Sequence, residues 1–175
     1  TLDSVNAMTG AVSITHTGAA NVEIDNGTTA LILGTVSVGQ NFEARSGNGI
    51  TDSGVITVAG TSLFHSDITG KVITLDSVNA MTGAVSITHT GAANVEIDNG
   101  TTALNLGTIS AGQNFSATSG GVISDSGVIT VAGTATFITD VNDIDIVLDS
   151  DNAITGALTF TTQTSGSTNG ADITF

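Results

Sequence analysis

Residues 1–31 read TLDSVNAMTGAVSITHTGAANVEIDNGTTAL, and the same letters return as residues 74–104. The offset of 73 (74 − 1) continues beyond the identical part, because residues 52–61 reappear as residues 125–134 without a gap. A third copy begins at Val147 and matches the second in residue type as far as Phe160. A fixed period of this length is typical of a repeat array. We therefore predict one array over 1–175, with copies at 1–73 and 74–146 and a partial copy at 147–175, and we expect it to be a fragment of a longer protein.

The composition favours strands and an aliphatic interior. Hydrophobic residues make up 39% of the chain, but only 3% are aromatic, and Pro, Cys, Trp and Tyr are absent. The 22 glycines, together with frequent Asn, Asp, Ser and Thr, supply turns, whereas Val, Ile and Thr favour strands. The absence of Cys excludes disulfides, thiol catalysis and thiolate metal sites. The sequence therefore predicts an all-β protein.

Short runs of alternating apolar and polar residues follow one another through each period. In the first copy they are residues 12–15, 22–24, 31–33, 36–38, 42–44, a lone Ile50, 55–58, 62–64 and 72–75. Similar runs follow Gly10, Gly34, Gly54 and Gly83, at intervals of 24 (34 − 10), 20 (54 − 34) and 29 (83 − 54). Each interval is about the length of one coil of a three-sided helix of strands. We predict a parallel β-helix, or β-solenoid, with three strands per coil, about seven coils in all, and three coils per 73-residue repeat, so that equivalent residues of successive copies lie above one another.

Differences between the copies indicate which side chains face inward. Ile32 becomes Asn105 and Glu43 becomes Ser116, while the flanking Leu31, Leu33, Phe42 and Ala44 keep their identity. Polar replacements thus fall on alternate positions, as expected for a strand with one buried face. Stacked aliphatic side chains would then stabilise the array by about 1.5–3 kcal/mol each when fully buried.

The net charge of −14, from 16 acidic and two basic residues, limits the partners. Binding to nucleic acid depends on Lys and Arg that neutralise phosphates, so we expect no nucleic-acid partner. No apolar run is long enough to span a bilayer as a helix, and we expect no membrane insertion. Divalent cations fit the charge.

Three segments carry a resemblance to a known family: GAVSITHTGAANVEIDN (residues 10–26), LGTVSVGQNFEARSG (33–47) and ITDSGVITVAGTSLF (50–64). They resemble the repeats of filamentous-haemagglutinin-like exoproteins, which are long secreted β-helical adhesins. The resemblance covers residues 1–160 and extends more loosely to Phe175. It implies a stalk in an extracellular or cell-surface protein, and it carries no catalytic or binding residue over to this chain. The Asn-Pro motifs of that family's secretion domain have no counterpart here, because the chain contains no Pro.

Acidic residues recur at fixed positions and suggest Ca²⁺ as a ligand. The recurring sets are Asp3, Asp76 and Asp149; Asp25 and Asp98; Asp52 and Asp125; and Asp67 and Asp140. The strongest candidate site is Asp140, Asp143 and Asp145, because hard oxygen ligands hold Ca²⁺. Turn formation by solvated Asp is the simpler interpretation of the same residues.

Other candidate sites are weaker. His16 and His89 are equivalent and are expected at outward positions, two residues after Ile14 and Ile87. Neither has a companion Cys or a second nearby His, so a zinc site is weakly supported. A polysaccharide-cleaving site would need a unique constellation, and near-identical repeats provide none. Outward Thr and Asn rows could bind ice, but the same rows stabilise a sheet without any ligand.

We therefore expect a structural, non-enzymatic rod with no certain cofactor. Its expected partners are further copies, joined through end coils or lateral contacts, and host or surface glycans. The alternatives are a Ca²⁺-dependent surface layer, a glycan-binding module and, least favoured, an enzyme.

Overall fold

A computed structural model describes residues 1–2, 4–66, 68–89, 91–165 and 170–175. The described residues form a parallel β-solenoid of two sheets, each with ten strands. Sheet A contains β2 (Val22–Asp25), β4 (Phe42–Ser46), β7 (Ser62–Ser66), β10 (Val85–His89), β12 (Leu104–Ala111), β14 (Ile123–Asp125), β15 (Ile129–Val131), β17 (Ile146–Val147), β18 (Ala153–Ile154) and β20 (Ile173–Thr174). Sheet B contains β1 (Val12–His16), β3 (Leu31–Val38), β5 (Ile50–Asp52), β6 (Ile56–Val58), β8 (Ile73–Leu75), β9 (Ala80–Met81), β11 (Val95–Asp98), β13 (Phe115–Ser119), β16 (Ala135–Asn142) and β19 (Leu158–Gln163).

Four coils of the described chain, β4–β6, β7–β9, β13–β15 and β16–β18, contribute three strand segments each, one to one sheet and two to the other. In the coil that starts at Phe42, β4 lies in sheet A, and β5 and β6 lie in sheet B. The long strand β3 runs past both, because Leu31 pairs with Ile50 and Val36 with Ile56. The predictions of a β-solenoid, of three strands per coil and of about seven coils are confirmed.

The interior is aliphatic with a few Phe side chains, as the alternation predicts. Leu31, Leu33, Phe42 and Ala44 are 0–1% exposed, whereas Ile32 between the two leucines is partly exposed. At one corner the stacked coils pass so closely that a Cβ on Gly83 would collide with the carbonyl group of Gly60. The identity between the copies therefore preserves both the inward columns and the glycines of the corners.

The prediction of three coils per repeat is wrong. Successive pairings carry Ile24 to Ala44, Phe64 and Ile87, so three coils advance the residue number by 63 (87 − 24). The copy of Ile24 is Ile97, which lies a further 10 along the chain (97 − 87) and in the opposite sheet. One repeat is therefore three and a half coils, and equivalent residues of successive copies lie on opposite sheets instead of above one another.

The cause is the long interval between Gly54 and Gly83. The two shorter glycine intervals lead from one coil to the next within sheet B, because β1 pairs with β3 and β3 with β6. From β6 the next coil is reached at β9, where Thr57 pairs with Ala80. The chain then crosses to β10 in sheet A, so the longest interval contains a coil and a crossing. Before this crossing a three-strand coil places two strands in sheet B, and after it a three-strand coil places two strands in sheet A.

Candidate functional site

The three predicted calcium ligands lie in and after β16, and Asp143 and Asp145 take part in separate contacts. Asp140 is exposed near the end of β16. Asp143 has a positive φ of 59°, and its carboxylate accepts hydrogen bonds from the Ser165 hydroxyl (2.6 Å) and backbone N–H (3.4 Å). Asp145 accepts a hydrogen bond from the backbone N–H of Asp172 (2.9 Å). Across the described ranges, no three His, Cys, Asp or Glu side chains are grouped so as to hold a metal ion. Calcium binding by these three residues stays a prediction.

Two of the recurring Asp residues, Asp25 and Asp98, instead shape turns. The Asp25 carboxylate accepts the N–H of Gly27 at 2.7 Å, and its copy Asp98 accepts that of Gly100 at the same distance. Both glycines have a φ of 56°, a conformation that favours Gly. Asp3 and Asp67 lie outside the described residues.

Asp52 links two coils through a hydrogen-bonded side-chain pair. Its carboxylate accepts the side-chain amide of Asn79 (2.8 Å) and the backbone N–H groups of Asp76 and Ser77. The Asn79 oxygen in turn accepts the N–H of Ile56 at 2.7 Å. Burial raises the pKa of Asp52 above its ordinary value of 3.8, against the lowering effect of these hydrogen bonds. The arrangement recurs at Asp125 and Asn152, so it belongs to the architecture of the repeat.

Two buried asparagines, Asn26 and Asn99, each lie against the end of a column of coils, and the sequence pattern did not predict this role. The Asn99 side chain accepts the N–H of Met81 (2.9 Å) and donates to its carbonyl group (3.0 Å), as a neighbouring strand would. Its amide also donates to the carbonyl groups of Thr102 and Ala103, so it closes its own turn. Asn26 makes the equivalent contacts with Met8 in the first copy. The repeated Asp-Asn-Gly turn was the available signal, but it gives no indication that the Asn is buried.

The prediction that both equivalent histidines lie on the surface is wrong for His89. That residue is 1% exposed, because it follows the inward Val85 and Ile87 in the alternation of β10. Its Nε2 donates to the carbonyl oxygen of Lys71, and its Nδ1 lies 2.7 Å from the carbonyl oxygen of Gly91. His16, in the first coil, is partly exposed.

The outer faces carry one polar cluster and two related grooves. On sheet A, Arg45 forms an ion pair with Glu43 and a hydrogen bond with Nδ1 of His65 (3.1 Å). A shallow groove of about 400 Å³ beside this cluster is lined by Asn21, Glu23, Asn41, Glu43, Thr61 and four neighbours. Its counterpart on sheet B, about 180 Å³, is lined by Asn94, Glu96, Asn114, Ser116, Thr134 and three neighbours. The two grooves are paired because one repeat is three and a half coils long, so equivalent residues of successive copies lie on opposite sheets. We call this alternation the half-coil exchange.

No helix among the described residues has the length and apolarity that crossing a membrane requires.

Comparison with known proteins assigns the repeat to a family. Neither a curated protein nor a solved structure gave a significant match. A family model described as repeats of unknown function (DUF5649) matches residues 19–88 and 92–161, and the two matches are separated by the period of the repeat (92 − 19). Because these matches cover more than half of the chain, the protein belongs to this family of repeats.

Proposed function

We propose that the chain is a structural rod: a rigid, non-enzymatic stalk or filament segment of a secreted or cell-surface protein. The observation that supports this is the continuous interior column, in which Ile24, Ala44, Phe64 and Ile87 are stacked and each is 0% exposed. Each coil is held by its neighbours above and below, so added repeats lengthen the stack without widening it.

Small-angle X-ray scattering on tandem chains tests the rod. Inserting one further copy of the repeat should add three and a half coils, or about 17 Å at a strand spacing of about 4.8 Å, with an unchanged cross-section. A cross-section that grows with each copy would mean that the copies fold side by side and would contradict the proposal.

The resemblance to filamentous-haemagglutinin-like exoproteins gives this rod a setting, as an adhesin stalk outside the cell. The parallel coils and the aliphatic interior support this setting without identifying the family. Antibodies raised against the chain should label intact cells that express the natural protein. Labelling that requires permeabilised cells would place the protein inside and overturn the setting.

The net charge of −14 favours cation-dependent assembly as a second candidate, since acidic copies repel one another. If Asp143 and its neighbours bind Ca²⁺, CaCl₂ should raise the melting temperature more than NaCl of equal ionic strength. Asp143→Asn should remove that excess, whereas the exposed Asp151, changed to Asn as a charge-matched control, should retain it. Equal effects of the two salts would leave only screening.

The grooves make glycan binding the remaining alternative. Asn and Glu side chains such as Asn41 and Glu43 present the donors and acceptors that hydrogen-bond sugar hydroxyl groups. Titration with acidic and neutral oligosaccharides, followed by NMR, should shift the amide resonances of Asn21 and Asn41 if the groove binds sugar. Glu43→Ser, which copies Ser116 of the second repeat, should weaken those shifts. Unchanged spectra would remove this alternative.

A further inference from the structure

Three stretches of the chain have the form Asn-x-Ser or Asn-x-Thr, which is the acceptor pattern for N-linked sugars. They are residues 26–28 (NGT), 99–101 (NGT) and 114–116 (NFS). The last is complete in the second copy alone, because the residue equivalent to Ser116 in the first copy is Glu43. The pattern does not distinguish the three asparagines, but their surroundings in the fold do.

The fold protects the asparagines of the two Asn-Gly-Thr stretches from modification. Asn26 and Asn99 are each 0% exposed. The Nδ2 atom of Asn99 donates to the carbonyl groups of Met81, Thr102 and Ala103, at 3.0, 3.1 and 2.9 Å. A sugar would be joined through this same nitrogen. Its attachment would break the contacts that close the turn and would leave buried carbonyl groups without donors.

Asn114 has the opposite arrangement of its amide. The residue is exposed and lies immediately before β13. Its Oδ1 accepts hydrogen bonds from the backbone N–H (2.9 Å) and the hydroxyl group (3.0 Å) of Thr134, in the next coil. Its Nδ2 donates no hydrogen bond within the described ranges of the chain. The oxygen therefore fixes the side chain to the coil, and the nitrogen is available at the surface.

The hydroxyl group that the pattern requires lies on the same face. Phe115 is inward and 1% exposed, so Asn114 and Ser116 on either side of it both face outward from sheet B. Both residues line the shallow groove of about 180 Å³ on that sheet. Strand β13 is an interior strand, paired with β11 on one side and with β16 on the other. The acceptor amide and the hydroxyl group thus lie together on an open, regularly paired surface.

We propose that Asn114 carries an N-linked sugar in the natural protein. Nδ2 attacks the anomeric carbon of a sugar activated as a glycosyl diphosphate, and an N–C bond forms as the anomeric C–O bond breaks. The diphosphate leaves with the electron pair of that bond, and Nδ2 gives one of its two protons to a base of the transferase. Oδ1 is unchanged, so the hydrogen bonds from Thr134 remain. This inference rests on the proposed position outside the cell, where acceptors of this pattern are used.

Mass spectrometry of the protein from its natural source tests the site. Peptides that contain Asn114 should carry the mass of a sugar, whereas Asn26 and Asn99 should be unmodified. Ser116→Ala removes the acceptor hydroxyl group but keeps the contacts of Asn114 with Thr134, and it should abolish the modification. Circular dichroism verifies that this variant remains folded.

The first copy provides a matched variant that should gain a sugar. Asn41 is exposed, and its Oδ1 accepts the N–H of Thr61 at 2.9 Å, as Asn114 accepts that of Thr134. Glu43→Ser completes the acceptor pattern at Asn41 and should add a second sugar there.

Purified components separate the effect of the fold from the effect of the sequence. With a transferase specific for Asn-x-Ser/Thr and UDP-glucose, the folded chain should be modified at Asn114 alone. Peptides of residues 22–33, 95–106 and 110–121, which have no fold to protect them, should all be modified.

A sugar on Asn26 or Asn99 of the folded chain would contradict the protection by burial and overturn the proposal. An unmodified Asn114 in natural protein that antibodies label on intact cells would overturn it as well, while leaving the stalk outside the cell in place. Scattering from tandem chains reports the rod shape without any sugar. A failure of this site is therefore distinguishable from a failure of the proposed function.

Discussion

At the residue scale, the fold depends on a few inward side chains and on Asn side-chain amides that make the hydrogen bonds of a neighbouring strand. Phe115, Phe137 and Phe160 occupy three successive coils, with ring centroids 5.7 Å apart in each neighbouring pair. Asn99 makes four hydrogen bonds in a site that is 0% exposed. The aromatic column contributes buried area, and the amide ends a column without leaving backbone groups unpaired.

Phe137→Ala should lower the free energy of unfolding by about 3–5 kcal/mol, because it leaves a cavity between two rings. The neighbouring Ile138 points outward, and Ile138→Thr should change stability by less than about 0.5 kcal/mol. Urea denaturation followed by circular dichroism measures both. Similar losses for the two variants would contradict the assignment of inward and outward faces.

Asn99→Ala should lower the free energy of unfolding by about 3 kcal/mol or more, since several buried backbone groups would lose their hydrogen-bond partners. Asn26→Ala removes the same contacts in the first copy, where Met8 is partly exposed and water can replace the amide. We expect the smaller loss there, measured by the same denaturation. Equal losses would indicate that burial of the column end has no energetic role.

Asp52 should make stability depend on pH in a defined direction. Its pKa is raised in the folded state, so the folded protein binds a proton more tightly than the unfolded chain does. The stabilisation that this proton provides is fully present below pH 3.8 and is lost as pH rises through the folded-state pKa. The free energy of unfolding of the native chain, minus that of Asp52→Asn, should therefore fall as pH rises across that window. A difference that rises with pH would mean that the hydrogen bonds from Asn79 and the backbone outweigh burial.

At the element scale, most strands could be predicted from the sequence, but the sheet to which each strand belongs could not. The predicted runs at 12–15, 22–24, 42–44 and 62–64 all lie in strands, because alternation is a local property. The short strand β9 was missed, since its two residues, Ala80 and Met81, are too few to alternate. The glycines give the distance between similar runs, but the long interval that ends at Gly83 can be one long coil or a coil plus a crossing. That choice depends on nonlocal pairing through Asn79 and Asn99. For the candidate site, sequence located the acidic turns but not the buried histidine or the asparagine caps.

Deletion of a whole coil should be tolerated. Removing residues 42–61 joins Asn41 to Ser62, and the register is kept because Phe42 pairs with Ser62. We expect cooperative unfolding with a smaller denaturant dependence, in proportion to the lost surface. Removing residues 42–51 instead places Asp52 where Phe42 is buried, and this variant should fail to unfold cooperatively. The opposite ranking would contradict a coil that runs from Phe42 to Thr61.

At the scale of the whole molecule, charge and stacking oppose each other. The interior favours indefinite extension, whereas 16 acidic residues against two basic ones spread repulsion along the rod. Salt should therefore influence both the stability of one rod and the joining of several.

Raising NaCl from about 10 mM to about 150 mM shortens the Debye length from about 30 Å to about 8 Å and should stabilise the chain. We expect a melting temperature higher by about 2–4 °C, equivalent to roughly 1 kcal/mol for a domain of this size. Differential scanning calorimetry at a series of protein concentrations separates this effect from assembly. A melting temperature that falls with salt would show that attractive ion pairs, such as Glu43 with Arg45, dominate the surface.

The half-coil exchange has a consequence for anything that decorates the rod. A ligand that recognises Glu23 and Asp25 on one side meets Glu96 and Asp98 on the reverse side, about 17 Å further along. Bound ligands would then form a zigzag, in which neighbours on the same side are separated by two repeats, or about 34 Å. Bulky ligands could occupy every repeat without colliding, and a short two-headed reagent would have to skip every second one.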